Sequence, residues 1–185
     1  NELKQIALSL KEKDTGQYWA DNWWSEDSVQ HHPAMKSFCD EILNKTKIIF
    51  DTLGLVRDDH YISNMWFTIS KPSNRQHTRH VHPNCLLSGV FYIDAPTGCA
   101  HTSFYNPNPA QEMIRPLYDV PHRYTAKEVA IDCKQGRMVI FPSWLPHSVE
   151  EGLKQDNPDA DRIVVAFNIM MRGEINMRTA HLKLI

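Results

Sequence analysis

Two histidines stand one residue apart in Arg79-His80-Val81-His82-Pro83, and a third ends the stiff run Phe141-Pro142-Ser143-Trp144-Leu145-Pro146-His147. Side chains alternate faces along an extended segment, so His80 and His82 are expected to point the same way. Imidazoles gathered on one face with an open side suit a catalytic transition metal. Arg162 follows on a later strand-like segment. A guanidinium matches a carboxylate through two parallel hydrogen bonds, which makes Arg162 a candidate for holding a carboxylate-bearing ligand. Each residue taken alone has a plainer reading. A single strand histidine is more often a surface or satisfied core residue, and Arg162 has Asp159 and Asp161 close by at a loop end. The combination carries the metal reading.

These side chains need a scaffold that brings distant segments together. The first third reads as helical, with Leu3, Ile6, Ala7 and Leu10 at helical spacing in residues 1 to 13. Pro33 is placed to open a second helix, whose apolar face would carry Phe38, Ile42, Ile49 and Leu53 and which Gly54 would stop. Between them, Tyr18 to Trp24 has no clean period and reads as loop or edge, with Trp19, Trp23 and Trp24 better suited to hairpin packing than to a substrate lid.

From about residue 60 the pattern becomes β. Strands are expected at Tyr61–Ile69, Leu86–Ile93, His101–Tyr105, Lys127–Ile131, Arg137–Phe141, His147–Val149 and Arg162–Met171. Turn residues separate them: Lys71-Pro72-Ser73-Asn74, Pro96-Thr97-Gly98, Asn106-Pro107-Asn108-Pro109, Lys134-Gln135-Gly136 and a polar loop over 151–161. In the last long strand, Ile163, Val165, Phe167 and Ile169 form a uniformly apolar face, while Arg162, Val164, Ala166 and Asn168 form the other and read as a pocket wall. Should the pleat survive Pro83, Ser88 and Tyr92 would face the same way as His80 and His82. Many short strands after helices indicate a mainly β protein with N-terminal helices, a double-stranded β-helix or jelly roll of cupin-like form. One domain is expected over 1–185, with helical and irregular support at 1–57, the β core at 58–172 and a C-terminal extension at 173–185.

Composition narrows the classes of function. The formal charge of −2 gives no electrostatic reason for nucleic acid or an anionic membrane as partner. No apolar run approaches a membrane span, and Asn1-Glu2-Leu3-Lys4 lacks the apolar stretch of a secretory signal. Cys39, Cys85, Cys99 and Cys133 contain no C-x-x-C pair, which argues against a zinc knuckle or dithiol site and fits thiols in a reducing cytoplasm. Of the ten histidines, His77, His80, His82, His101 and His147 fall in the region carrying the metal-like pattern; His77 and His101 read as solvent-facing.

His80-x-His82, Leu87-Ser88-Gly89-Val90-Phe91-Tyr92-Ile93, Gly136, the Phe141–His147 run and Arg162-Ile163-Val164-Val165-Ala166-Phe167-Asn168 together resemble the 2-oxoglutarate- and Fe(II)-dependent oxygenase superfamily. More narrowly, they are similar to a small branch of it frequent in marine bacteria and their phages. The resemblance spans roughly residues 60 to 172 and leaves the N-terminal third unaccounted for. It implies Fe(II) bound by a His-x-carboxylate…His triad, 2-oxoglutarate chelating the metal, dioxygen as oxidant and an arginine holding the distal carboxylate of the co-substrate. Carried over by position, His80 and His147 are the two histidines and Arg162 is the arginine. Tyr92 matches a position that hydrogen-bonds the same carboxylate in prolyl-hydroxylase-like members, and Ser88 and Asn168 match pocket-lining positions. The implied setting is the cytoplasm of a bacterium or a phage-infected host.

The departure is His82, where the superfamily usually has Asp or Glu. Three arrangements are open: His82 ligates and gives a three-histidine site; His82 points away and leaves a position to water or halide; or a carboxylate from elsewhere, such as Asp94, Asp119 or Glu128, completes the shell. Ligation is the favoured one. The leading function is hydroxylation of an unactivated carbon with formation of succinate and CO2. A cupin-like three-histidine iron dioxygenase without 2-oxoglutarate, and a non-catalytic jelly-roll binding module, are the competitors. The substrate, whether amino acid, peptide or other small molecule, and the oligomeric state are open at this level.

Overall fold

The computed structural model describes residues 2–19, 22–71, 77–108, 110, 113–114, 116–120, 122, 125–149, 160–176 and 180–185. The expected turn at Pro72-Ser73-Asn74, as well as Pro109, Asp159 and the loop from 151 to 159, lies outside them. In chain order come α1 (Glu2–Glu12), β1 (Gly16–Trp19), β2 (Asn22–Ser25), two 3-10 turns (Val29–His31 and Pro33–Met35), α2 (Lys36–Thr52), β3 (Asp59–Ser70), β4 (His77–His80), β5 (Leu87–Asp94), β6 (Thr102–Tyr105), β7 (Glu128–Ile131), β8 (Met138–Pro142), β9 (His147–Val149), β10 (Arg162–Ile175) and β11 (Leu182–Leu184).

The strands form two antiparallel sheets. The larger runs β1-β2-β3-β10-β5-β8 with β11 paired to β10, and the smaller runs β4-β9-β6-β7. β10 is the spine of the larger sheet because its alternation serves both faces. Ile163, Val165, Phe167 and Ile169 join Met65, Phe67 and Ile69 of β3 in the main core, together with Ala7 of α1 and Phe38, Ile42 and Phe50 of α2. Both helices therefore cover the outer face of the larger sheet. The opposite residues of β10, Arg162, Val164, Ala166 and Asn168, line a cavity of about 550 Å³ that also takes residues of the smaller sheet. The mainly β jelly roll with N-terminal helices is the observed architecture.

Several local details differ from the sequence expectation. Pro33 opens a 3-10 turn, and α2 begins three residues later. Its buried face is Phe38, Ile42, Thr46 and Phe50, a strict four-residue spacing, while Leu53 is exposed. Thr46 is tolerated in that face because its hydroxyl donates to the Ile42 carbonyl at 3.0 Å. The helix does stop at Gly54, which has φ of +66°; Gly54 N–H donates to Asp51 O and Leu55 N–H to Phe50 O, the paired bonds of a Schellman end. Tyr18, Trp19 and Asn22 to Trp24 belong to the paired strands β1 and β2, which extend the larger sheet through β3.

The chain between the histidine pair and the next strand also departs from a continuous pleat. β4 ends at His80, and β5 starts at Leu87 in the other sheet. The crossing is made through Pro83 and Asn84, the latter at φ of +60°. Gly89 in β5 faces Phe167 across the ladder, and a Cβ there would meet the Phe167 ring at 2.2 Å. That close approach explains the glycine in the Ser-Gly-Val string. No helix among the described residues is long and apolar enough to cross a membrane.

Candidate metal centre

His80 and His147 sit directly opposite each other in the β4–β9 pair. His82 lies two residues past the end of β4, its backbone N–H donating to Ser143 O at 3.0 Å, which ties this extended segment to the turn before β9. One ligand nitrogen from each of the three imidazoles lies within 4.8 Å of the others. No carboxylate among the described residues belongs to that group. Asp94 pairs with Lys4 at 2.5 Å, and Glu128 and Asp119 are exposed.

Hydrogen bonding points each ring the same way. Nδ1 of His80 lies 2.7 Å from Thr78 O, Nδ1 of His147 is 2.9 Å from Leu145 O, and Nδ1 of His82 is 2.7 Å from Asn168 Oδ1. A carbonyl oxygen only accepts, so each Nδ1 carries the proton and each Nε2 keeps its lone pair. Such an acceptor behind the ring is the usual support for a metal-bound histidine. Burial lowers the His82 pKa against the opposing bond to Asn168, and burial lowers His147 to about 4. Both rings are thus neutral donors near pH 7. Phe141 packs edge-on to His147 at 4.7 Å between ring centres, and Trp66 stacks on His82 at 6.0 Å.

Behind His82 a chain of polar groups fixes Asn168. Its Oδ1 also accepts from Ser88 Oγ at 2.9 Å, and Ser88 Oγ is 2.9 Å from Ser143 Oγ. Ser88 is fully buried behind the cavity wall, in contrast to the pocket-lining place the resemblance implied. Tyr92 is likewise buried behind the wall, its hydroxyl 2.8 Å from Thr102 Oγ1.

Arg162 is only 2% exposed, yet it lines the cavity. Its guanidinium lies 5.5 Å from the Tyr92 ring centre. No carboxylate among the described residues pairs with it, and Nε has no hydrogen-bond partner among them. Asp161, the neighbour that offered a plainer explanation, pairs with Lys71 at 3.0 Å instead. The Cys133 thiol is held below the ordinary range first by hydrogen bonding with the free Cys99 thiol, against burial, and then by the Arg162 guanidinium.

Sequence reasoning missed part of the wall. His77 is not solvent-facing: it is half-buried, lines the cavity, and stacks on His80 at 5.7 Å and on Trp24 at 4.6 Å. Burial first, then the neighbouring His80, lowers its pKa to about 3. Trp19 and Trp24 of the hairpin and Trp66 of β3 complete an aromatic rim. Trp19, Trp23 and Trp24 read in the sequence as hairpin packing; the place of Trp19 and Trp24 at the site follows from the pairing of β2 with β3.

A family model described as "Putative 2OG-Fe(II) oxygenase" matches residues 64–168, more than half of the chain. The chain belongs to that family of 2-oxoglutarate- and Fe(II)-dependent oxygenases. No curated protein sequence matches it. Among solved structures, it is similar to a Pseudomonas putida prolyl-4-hydroxylase, with TM-score 0.63 at 14% identity over 92% of this chain and 85% of that one. It is also similar to the non-heme alpha-ketoglutarate-dependent epimerase SnoN of nogalamycin biosynthesis, with TM-score 0.65 at 12% identity over 95% and 73%. A third similar structure is a 2OG-Fe(II) family oxidoreductase from Burkholderia pseudomallei, with TM-score 0.61 at 10% identity over 91% and 77%. At these identities the likeness is one of fold.

Proposed function

We propose that this chain is a 2-oxoglutarate-dependent hydroxylase of a small molecule, with Fe(II) held by His80, His82 and His147. The residues fit such an ion: three nitrogen donors converge, each with its Nδ1 proton engaged elsewhere. Imidazole suits iron, and open coordination positions take co-substrate and dioxygen. Bound iron supplies the oxygen chemistry: one oxygen atom of O2 becomes the substrate hydroxyl, the other enters succinate, and CO2 leaves from C1 of 2-oxoglutarate.

The chain's own residues bind and orient. Arg162 receives the distal carboxylate of 2-oxoglutarate, and Thr102 walls that end with Tyr92 hydrogen-bonded behind it. Asn168, Ser88 and Ser143 hold His82 in one tautomer and one orientation. Trp24, Trp66 and His77 bound the space left for the substrate with aromatic rings. The observation that carries this reading is Arg162: a buried guanidinium without a carboxylate partner among the described residues, in the cavity of the histidines. It favours a dicarboxylate co-substrate over the cupin-like alternative.

The test mixes the chain anaerobically with Fe(II) and 2-oxoglutarate, follows the weak visible charge-transfer band of chelation, then admits oxygen and measures succinate. Wild type is expected to show the band and slow succinate formation. Arg162→Ala is expected to lose affinity for 2-oxoglutarate by on the order of 100-fold. Iron binding without chelation would overturn the proposal.

A further inference from the structure

The cavity is lined by two formal charges of opposite sign in two different places, Arg162 buried and Asp27 exposed to solvent. Among its lining residues, Arg162 and Asp27 are the Asp, Glu, Lys and Arg members. Arg162 starts the inner face of β10 and pairs in register with Ser70; Asn168, six residues on, pairs with Asn64 of β3. Six residues of strand span about 20 Å. Asp27 sits at the Asn64 end: Asn64 Nδ2 donates to Asp27 Oδ2 at 3.1 Å, and Met65 N–H donates to the Asp27 backbone carbonyl at 2.9 Å. No Lys or Arg among the described residues pairs with the Asp27 carboxylate.

Two indoles line the same two cavities as that carboxylate. Trp66, two residues from Asn64 on β3, stacks on His82, and both Trp66 and Trp24 line the cavity. Trp24, Asp27 and Trp66 also form the wall shared with an adjoining groove of about 620 Å³, whose charged lining residues are Asp14, Glu26 and Asp27. Indole faces attract cations, and a carboxylate beside them adds a counter-charge. The charged groups an anionic substrate would meet here are carboxylates; a neutral one would leave Asp27 with Asn64 as its partner and no counter-charge.

We propose that the substrate is a small organic cation, an amine or quaternary ammonium. Its positive group rests between Trp66, Trp24 and Asp27, and the carbon to be oxidised extends toward the three histidines. This rests on reading the cavity as an oxygenase site, and it assigns the two ends of that cavity. Arg162 selects the anionic co-substrate, and Asp27 with the indoles selects a cationic substrate. Opposite charges keep the two ligands from exchanging places. The cavity volume lies within the usual range of small-molecule sites, roughly 300–1,000 Å³.

The experiment is calorimetric titration of the full chain with matched pairs that differ in charge. Choline is compared with 3,3-dimethyl-1-butanol, and benzylamine with benzyl alcohol. The cations are expected to bind roughly tenfold more tightly than their neutral counterparts. Asp27→Asn is expected to remove most of that preference, and Asp27→Lys to reverse it, with both variants checked for unchanged unfolding midpoint. Equal binding of charged and neutral partners would overturn the proposal, as would a preference that survives Asp27→Lys. The 2-oxoglutarate band of wild type reports the oxygenase reading separately. Absence of the band with cation selectivity intact would sink that reading alone; a band without selectivity would sink the assignment of Asp27 alone.

Discussion

Nδ1 of His82 and Oδ1 of Asn168 lie 2.7 Å apart, joining the segment that leaves the smaller sheet to the spine of the larger one. The superfamily it resembles usually carries a carboxylate at the His82 position, and a carboxylate needs no tautomer to be chosen. An imidazole does. Asn168 makes that choice, and Ser88 fixes the amide in turn.

Asn168→Leu therefore removes the acceptor while keeping similar bulk. Fe(II) affinity of the chain is expected to fall by roughly 10–100-fold. Asn168→Asp keeps an acceptor oxygen and is expected to retain affinity. Anaerobic iron titration of the two variants makes the comparison, and equal losses would show that the hydrogen bond is not what matters.

His82 itself can be tested by exchange as well as removal. His82→Asp places an oxygen donor where the superfamily usually has one and is expected to keep iron. His82→Ala is expected to lose at least the roughly 10–100-fold that outer partners alone can cost. Unchanged iron affinity in the alanine variant would remove His82 from the ligand set.

Metal binding should also staple the two sheets. His80 and His147 belong to the smaller sheet, while His82 is anchored to β10 through Asn168. Fe(II) at about 100 times its dissociation constant would add about 2.7 kcal/mol to stability. The melting temperature under anaerobic conditions is expected to rise with Fe(II) and to return to the metal-free value after chelation. A melting temperature indifferent to the ion would mean that the folded chain does not bind it.

For the metal-free chain, acid should be destabilising earlier than carboxylates alone would make it. Burial first lowers His77 to about 3 and His147 to about 4, from an ordinary value of 6.5. Below 6.5 the unfolded chain binds protons that the folded chain refuses, so stability rises with pH in this range. The contribution is complete above 6.5 and erodes as pH falls toward the two folded values. Urea midpoints measured with chelator present are expected to drop between about pH 7 and about pH 5. Replacing His77 with Phe should flatten part of that slope, and a wild-type midpoint constant over the range would contradict it.

The strands were legible because their turn residues punctuate the sequence: β9 runs from His147 to Val149 as expected, and β3, β5, β6, β7 and β8 lie within two residues at each end. The two faces of β10 followed from simple alternation. What sequence could not supply was pairing between distant segments. The β1–β2 hairpin has no clean period because Trp23 is buried in the core while Trp24 turns to the cavity, so both faces are apolar. His77 looked like any polar strand residue until Trp24 was placed beside it. For His82, the shared face with His80 was inferred from a continuous strand, whereas the convergence rests on bonds to Ser143 and Asn168, 61 and 86 residues away in the chain.

The aromatic rim has an optical consequence. The chain has five tryptophans, and three of them, Trp19, Trp24 and Trp66, line the cavity. Trp144 is largely exposed in the turn that leads to His147, and Trp23 is buried next to Trp24 in β2. Much of the protein's near-ultraviolet emission therefore originates at the site itself. Occupancy of the cavity should register as a change in intrinsic fluorescence, with no label attached and no turnover required.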